Sequence, residues 1–204
     1  MPPLPSRLLF LPGALGSPDF WKPLAWELSN TAECVFVTYP GFAGEPAEPS
    51  VSCFEGLVQS VASRIDRPTA LIAQSMGGVV AIEVSLLKND LVTHLVLVAT
   101  SGGLDTTKLG AVEWRQTFKQ DHPELPDWFT SYNSDLTSKL GKIRARVLLI
   151  WGDSDPMSPI GIGKTLLTRF RSAELHVVRG GEHYVARTHA KSIAPLIDAH
   201  LDIR

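Results

Sequence analysis

Hydrophobic and polar residues alternate in blocks along this chain. Six short runs rich in Val, Ile, Leu and Phe each end in Gly, Pro, Ser or Asp. These runs are RLLFLPG (7–13), CVFVTYPG (34–41), TALIAQS (69–75), HLVLVATSGG (94–103), RVLLIWGD (146–153) and ELHVVRGG (174–181). Runs so continuously apolar are typical of strands that are covered on both faces, as in a parallel sheet. The pattern therefore predicts six strands, each followed by a turn.

Helical periodicity fills most of the intervals between these runs. Ser17–Pro18 predicts a helix start, because apolar residues follow at a spacing of four. Ser52 and Glu55 have the spacing of a capping box ahead of a second helix. A third helix follows Ser75 directly, Ser158–Pro159 opens a fourth, and Ile193 lies in a last helix whose start Pro195 obscures. Strands alternating with helices predict one α/β domain over residues 1–204, a doubly wound and mostly parallel sheet.

One long segment, residues 104–145, breaks this rhythm because it contains no strand pattern. Four of its aromatic residues are candidates for a ligand-binding wall: Trp114, Phe118, Trp128 and Phe129. Long insertions after a strand often cover a functional site, so we predict a short cap or lid. The alternative is a pair of helices that only packs at the periphery.

Composition narrows the class of protein. The chain has 204 residues, 44% hydrophobic and 20% charged, with a formal net charge of −2, which is typical of a globular domain and gives no general attraction to nucleic acid or anionic membranes. No apolar run reaches the length of a membrane span. Leu8–Leu11 is predicted to be a strand and not part of a signal peptide, since Pro12 ends the run. The two cysteines, Cys34 and Cys53, are predicted to be buried or half-buried thiols in a cytoplasmic protein.

Polar residues that could take part in catalysis follow several of the predicted strands. They are Ser75, Ser101, Asp153, Asp155 and His183. Ligands of open α/β sheets bind beyond the carboxyl ends of strands, where these residues would lie. The chain order of serine, aspartate and histidine resembles that of the α/β-hydrolase superfamily, and the likeness extends over nearly the whole chain. The resemblance implies an α/β-hydrolase fold with a truncated N-terminus and a short helical cap.

The same resemblance assigns a role to each member of a triad. Ala73-Gln74-Ser75-Met76-Gly77 is similar to the G-x-S-x-G nucleophile elbow, with alanine in place of the first glycine, and implies that Ser75 is the nucleophile. An ordinary helix N-cap is the alternative for this serine. His183 in GGEH corresponds to the family's base, and His189 is its only serious rival. Asp155 fits the family's G-x-x-D pattern, with Asp153 as the alternative acid.

Two backbone N–H groups are implied as the oxyanion hole. The residue after the nucleophile is Met76, and Ala14 corresponds to the donor in the loop after the first strand. This sequence has Pro12 where the family has a histidine, so the loop must be held in another way.

Motifs for cofactors are incomplete. GIGKT (161–165) has Ser158 where a phosphate-binding loop needs a glycine, and PGALG lacks the spacing of a dinucleotide site. Histidine and cysteine show no metal-binding spacing. We therefore predict no cofactor and no metal.

The functional prediction is a serine hydrolase that cleaves a carboxylic ester, or a thioester, through an acyl-enzyme on Ser75. Trp114, Phe118, Trp128 and Phe129 would line an apolar acyl pocket. The partner is a small-molecule ester or acyl substrate, with neither nucleic acid nor membrane involved, and the sequence does not predict an oligomeric state. Two alternatives stay open: a lyase or C–C bond hydrolase on the same triad, and a weakly catalytic binding or signalling module.

Overall fold

A sheet of six parallel strands forms the centre of the computed structural model, which describes residues 3–133 and 135–202. The strands are β1 (Arg7–Leu11), β2 (Glu33–Phe36), β3 (Thr69–Gln74), β4 (Val92–Val98), β5 (Arg146–Gly152) and β6 (Ala173–Val178). Their order across the sheet is β2-β1-β3-β4-β5-β6. All six strands predicted from the apolar runs are present.

Burial follows the position of each strand in the sheet. Every residue of the central strands β3 and β4 is buried, as their continuous apolar runs predict. The edge strands β2 and β6 are only partly covered. The most apolar runs therefore form the middle of the sheet.

Eight α-helices flank the sheet within the described residues. They are α1 (Lys22–Glu27), α2 (Phe54–Ser63), α3 (Met76–Leu87), α4 (Arg115–Asp121), α5 (Asp127–Ser131), α6 (Ile160–Leu167), α7 (Val185–Thr188) and α8 (Ala190–Leu201). Short 3-10 turns span Pro18–Trp21, Thr107–Leu109 and Leu140–Lys142. Helices α1, α7 and α8 pack together on one face of the sheet, whereas α2, α3 and α6 bury their apolar residues in the core of the other face. The sheet is thus covered on both sides, which confirms the predicted α/β class.

Two local predictions need correction, and one open boundary is now defined. The Ser52 capping box is wrong: α2 begins at Phe54 with Cys53 at the N-cap position and no side-chain cap, so Glu55 comes one position too early in the helix. Both cysteines are exposed and not buried, since Cys34 lies in edge strand β2 and Cys53 at that helix start. The start of the last helix, which the sequence left open, is at Ala190, and helix α8 contains Pro195 in its interior.

The segment 104–145 contains short helices and no strand in its described part, which leaves out Ser134. Six buried apolar residues in the main core anchor it to the body, namely Leu104, Phe129, Leu136, Leu140, Ile143 and Ala145. Helix α4 within the segment has no buried residue. That this segment acts as a cap or lid stays a prediction.

Candidate active site

The strand order creates a crevice between β1 and β3. The chain leaves β1 toward β2 on one side, and β3 pairs with β1 on its other side. Loops that follow such a pair of strands diverge, and the gap between them is where open α/β sheets bind ligands. The loop after β1 starts at Pro12, and Ser75 follows β3 directly.

Ser75 occupies a strained turn between β3 and α3. Its backbone has φ 53° and ψ −119°, a conformation that non-glycine residues rarely adopt. Three hydrogen bonds hold it: its N–H donates to the Val98 carbonyl at 3.0 Å, and its own carbonyl accepts from Thr100 Oγ1 at 2.6 Å and from the Gly78 N–H at 3.0 Å. The side chain makes no capping bond to α3, so Ser75 is not an ordinary helix cap.

Glycines allow the loop after β1 to approach this turn. A Cβ at Gly77 would collide with the carbonyl oxygens of Leu11 and Pro12, so only glycine lets the start of α3 pass the end of β1. A Cβ at Gly13 would lie 3.3 Å from Cβ of Ser75. Tyr39 further fixes the loop, because its buried hydroxyl donates to the Pro12 carbonyl at 3.0 Å. This contact holds the loop in which the family histidine is replaced by proline.

A buried carboxylate orients His183. Oδ2 of Asp155 lies 2.8 Å from Nδ1 of His183, and the Asp155 side chain is fully buried. The other carboxylate oxygen accepts the N–H groups of Met157 at 2.8 Å and Ser158 at 3.0 Å. An ionised carboxylate only accepts hydrogen bonds, so the imidazole proton sits on Nδ1 and leaves Nε2 free to accept a proton.

Asp153 has a different position. It is exposed, and its Oδ1 accepts the N–H of Gly180 at 2.7 Å and the hydroxyl of Ser154 at 3.0 Å. It therefore fastens the turn after β5 to the turn after β6 and does not contact the imidazole. Of the two candidate acids, the one hydrogen-bonded to His183 is Asp155.

The loops that carry the acid and the histidine also touch through their backbones. The Ser154 N–H donates to the Gly181 carbonyl at 3.0 Å. A Cβ at Gly152 would collide with that same carbonyl group, so a glycine is needed where the two loops meet. Gln74, which precedes the elbow serine and is buried, donates from Nε2 to the His183 carbonyl at 3.3 Å. The His183 loop is thus held from both β3 and β5.

One cavity of about 620 Å³ opens at this point of the sheet. Ser75, His183 and Ala14 all line it, and Asp155 lies behind His183. Met76 is the first residue of α3; it is buried and does not line the cavity. Its backbone N–H has no acceptor within the helix, because it belongs to the first helical residue. His189 does not line the cavity; its Nδ1 lies 2.9 Å from the Thr188 hydroxyl.

The four predicted aromatic wall residues divide into two layers. Trp114 and Phe118 line the cavity. Trp128 and Phe129 do not, which corrects the prediction for this pair: Phe129 is buried with its ring 5.7 Å from the rings of Trp114 and Phe118, and Trp128 packs on Phe42. The second layer supports the first. Phe129 belongs to the main core, and Trp128 packs against that core.

Sequence reasoning missed three kinds of residue at this site. Thr100, whose hydroxyl donates to the Ser75 carbonyl, lies two residues after the end of β4, and that position after a strand end was a usable signal. His122 and Arg187 line the cavity although no motif marks them. Ser158 is buried and lines the cavity with a hydroxyl that has no hydrogen-bond partner within the described residues.

No cluster of three or more His, Cys, Asp or Glu side chains within residues 3–133 and 135–202 could hold a metal ion. Within the same ranges, every helix is too short or too polar to cross a bilayer.

Comparisons with curated proteins give partial matches. The chain is 36% identical over 85 residues to thioesterase TesA of Mycobacterium marinum, which covers 39% of this chain and 34% of that protein. It is 32% identical over 72 residues to a 2-hydroxy-6-oxononadienedioate/2-hydroxy-6-oxononatrienedioate hydrolase of Cupriavidus pinatubonensis, covering 35% of this chain and 24% of that protein. The matches thus span about a quarter to a third of the length of these relatives.

Solved structures show the same fold over nearly the whole chain. A bromoperoxidase from Bacillus anthracis superposes with a TM-score of 0.86 at 16% identity, covering 99% of this chain and 94% of the other. An esterase from Exiguobacterium antarcticum superposes with a TM-score of 0.80 at 15% identity, covering 97% and 92%. The model of the alpha/beta hydrolase family matches residues 8–119, more than half of the sequence. The chain is therefore a member of the alpha/beta hydrolase family.

Proposed function

We propose that this hydrolase-family protein cleaves a carboxylic ester through an acyl-enzyme on Ser75. One observation carries the proposal: the imidazole that a buried Asp155 carboxylate holds at 2.8 Å borders the same cavity as Ser75. A serine hydroxyl is a weak nucleophile at neutral pH and needs an adjacent base. The likeness to a thioesterase over part of the chain supports thioesters as substrates with the same geometry.

The reaction begins when Ser75 Oγ attacks the ester carbonyl. Nε2 of His183 accepts the serine proton and then donates it to the departing alcohol. Asp155 keeps the proton on Nδ1 and stabilises the imidazolium that forms. A water molecule, deprotonated by His183, then attacks the acyl-enzyme and releases the acid and free Ser75.

The negative charge of the tetrahedral intermediate is stabilised by the backbone N–H groups of Met76 and Ala14. Met76 opens α3, so its N–H needs an acceptor from outside the helix. Ala14 lines the cavity next to Gly13, which lies against Ser75. One such donor contributes about 2.7–4 kcal/mol of transition-state stabilisation.

The cavity favours an acyl group of modest size. Trp114, Phe118 and Ile162 give its wall an apolar surface, and a cavity of about 620 Å³ lies within the range for small ligands. Burial of an acyl chain against these side chains contributes roughly 0.8 kcal/mol per methylene. We therefore expect activity to rise with acyl length until the cavity is filled.

The test combines a covalent label with turnover. A fluorophosphonate should label the wild-type protein stoichiometrically, and Ser75→Ala should abolish labelling and lower the turnover of p-nitrophenyl butyrate by at least about a thousandfold. Ser172→Ala, an exposed serine outside the cavity, is the matched control and should behave as wild type. Ester turnover that survives in Ser75→Ala would refute the mechanism. A C–C bond substrate assayed in parallel, with turnover far above the esters, would refute the ester assignment.

A further inference from the structure

The cavity wall carries one formal charge within the described residues. Among the side chains that the structure describes, Arg187 is the only Lys or Arg that lines the cavity, and neither Asp nor Glu lines it. The remaining wall is built from small, aromatic, aliphatic and neutral polar side chains, with two histidines. No opposite charge among the described wall residues offsets this cation, so an anion bound beside it is favoured.

The guanidinium of Arg187 is unpartnered within the described part of the chain, where it forms neither a salt bridge nor a hydrogen bond. Some other arginines are ion-paired, for example Arg7 with Glu33 at 2.9 Å and Arg144 with Asp90 at 2.7 Å. A guanidinium presents several N–H donors in a planar fork that matches a carboxylate or phosphate. Arg187 therefore offers its full set of donors to a ligand in the cavity.

The position of Arg187 indicates which end of a substrate it meets. It lies in α7, four residues after His183, and α7 packs against the turn Pro18–Trp21. His183 donates its proton to the leaving group in the proposed reaction, so the wall that continues from His183 borders the leaving group. The apolar residues Trp114 and Phe118 belong to another part of the wall, in and next to α4.

We infer that Arg187 selects esters or thioesters whose leaving group carries an anion, a carboxylate or a phosphate. The inference rests on the proposed function and adds a substrate class to it. Ser17 and Tyr184, which line the cavity at the same wall, supply hydroxyls that can complete the anion's hydrogen bonds. A charge-assisted bond at this exposed position should favour the anionic substrate by about five- to tenfold.

The experiment uses pairs of substrates in which one member carries an anionic group on the alcohol part and the other member is neutral. The first pair is the butyryl ester of glycolate and that of glycolamide, and the second is 2-butyryloxyethyl phosphate and 2-butyryloxyethanol. The wild-type protein should hydrolyse the anionic member of at least one pair with a kcat/KM about five- to tenfold higher, and the pair with the larger ratio identifies the anion. The ratio should fall as salt is added, since exposed charges are screened.

Variants distinguish the effect of Arg187 on substrate selectivity from the effect of the protein's net charge. Arg187→Gln should bring the ratio of anionic to neutral substrate down to about one, and Arg187→Lys should keep part of it, because the ammonium retains the charge but not the planar fork. Arg171→Gln removes the same charge from an exposed residue outside the cavity and should keep the wild-type ratio. A ratio that persists in Arg187→Gln, or that Arg171→Gln lowers equally, would overturn the inference.

Two further arms keep this result distinct from the proposed function. Monomethyl succinate and methyl succinamate place the charge on the acyl side, and a preference found only with this pair would overturn the assignment to the leaving group. Calorimetric binding of the glycolate and glycolamide esters to Ser75→Ala reads the Arg187 contact without turnover. If the wild-type protein hydrolyses no ester but binding to Ser75→Ala still favours the anionic ester, only the proposed function is refuted. If the glycolate and glycolamide esters bind equally, this inference is refuted.

Discussion

At the scale of single residues, two aspartates two positions apart have unrelated environments. Asp155 is buried and accepts three hydrogen bonds, one of them from His183. Asp153 is exposed and accepts from a backbone N–H and a neighbouring hydroxyl. Burial without loss of hydrogen bonds is what allows a carboxylate to hold an imidazole in one tautomer, and only Asp155 meets that condition.

Asp155→Asn should therefore lower kcat for ester hydrolysis by about 10⁴-fold. The asparagine amide can donate to Nδ1, which would move the imidazole proton to Nε2, where it can no longer accept the proton of Ser75. Steady-state kinetics with p-nitrophenyl butyrate measure the effect, and circular dichroism checks that the variant is folded.

The matched control is Asp153→Asn, whose amide oxygen can still accept the Gly180 N–H. We expect its kcat to stay within a few-fold of wild type. Equal losses in the two variants, or a larger loss in Asp153→Asn, would contradict the assignment of Asp155.

At the scale of elements, the site depends on how closely three loops approach one another. Gly77 lets α3 start against the end of β1, and Gly152 lets the turn after β5 meet the turn after β6. Neither approach involves a catalytic side chain. The backbone contact at Gly152 nevertheless sets the distance between the loops of Asp155 and His183.

Gly152→Ala should lower kcat because the added methyl group meets the Gly181 carbonyl and the backbone must separate. Overpacking of this kind costs about 1–3 kcal/mol of unfolding free energy. Urea denaturation and ester kinetics measure the two effects on the same preparation.

The control is Gly161→Ala in helix α6, where the nearest atom to the added methyl is the Leu109 carbonyl oxygen at 4.0 Å. Alanine has the higher helix propensity, so this variant should gain up to about 1 kcal/mol and keep its activity. A Gly152→Ala protein with wild-type kcat would show that the loop contact does not position the acid and base.

The elements themselves could be predicted from the sequence because their signals are local. Each buried strand corresponds to an apolar run in the sequence. The turn residues that follow it mark the edge of the sheet at which the candidate site residues lie. Features that depend on tertiary packing could not be predicted from the sequence. The apolar character of Phe129 is the same whether its ring lines a cavity or supports Trp114 from behind, and only the docking of α5 decides between them.

The site was predictable to the extent that the family order of residues marks it. Asp153 and Asp155 could be ranked by a motif, but the hydrogen bond that separates them requires the fold of two loops from different strands. Arg187 and Thr100 carry no motif, since their roles follow from what happens to lie beside them in space. Cys34 was misjudged because an edge strand exposes residue types that a central strand would bury.

At the scale of the whole molecule, a buried pair of histidines joins the last helix to the sheet. His94 in β4 and His200 in α8 are both buried, with ring centroids 5.2 Å apart. Nε2 of His200 is buried with no hydrogen-bond partner among the described residues. Burial, together with the neighbouring His94, lowers the pKa of His200 to about 4. Helix α8 packs on one face of the sheet. The low pKa of His200 therefore makes the free energy of unfolding of the whole domain depend on pH.

The sign of that coupling follows from proton binding. An unfolded histidine has a pKa of about 6.5, so between that pH and about 4 the unfolded chain binds a proton at residue 200 that the folded protein does not. The free energy of unfolding should therefore fall by roughly 2 kcal/mol between pH 7 and pH 5 on account of His200. Urea denaturation followed by tryptophan fluorescence at the two pH values measures this loss.

His200→Gln should remove this part of the acid sensitivity, because glutamine does not titrate, even if the variant is less stable at pH 7. The matched control is His176→Gln in edge strand β6, a histidine in a half-buried position, which should retain the full wild-type loss. The comparison uses the difference between the two pH values within each protein, so a uniform change in stability cancels. A wild-type fall in His200→Gln would show that the acid sensitivity arises elsewhere in the chain. In that case the contact between α8 and β4 would stabilise the fold equally at both pH values.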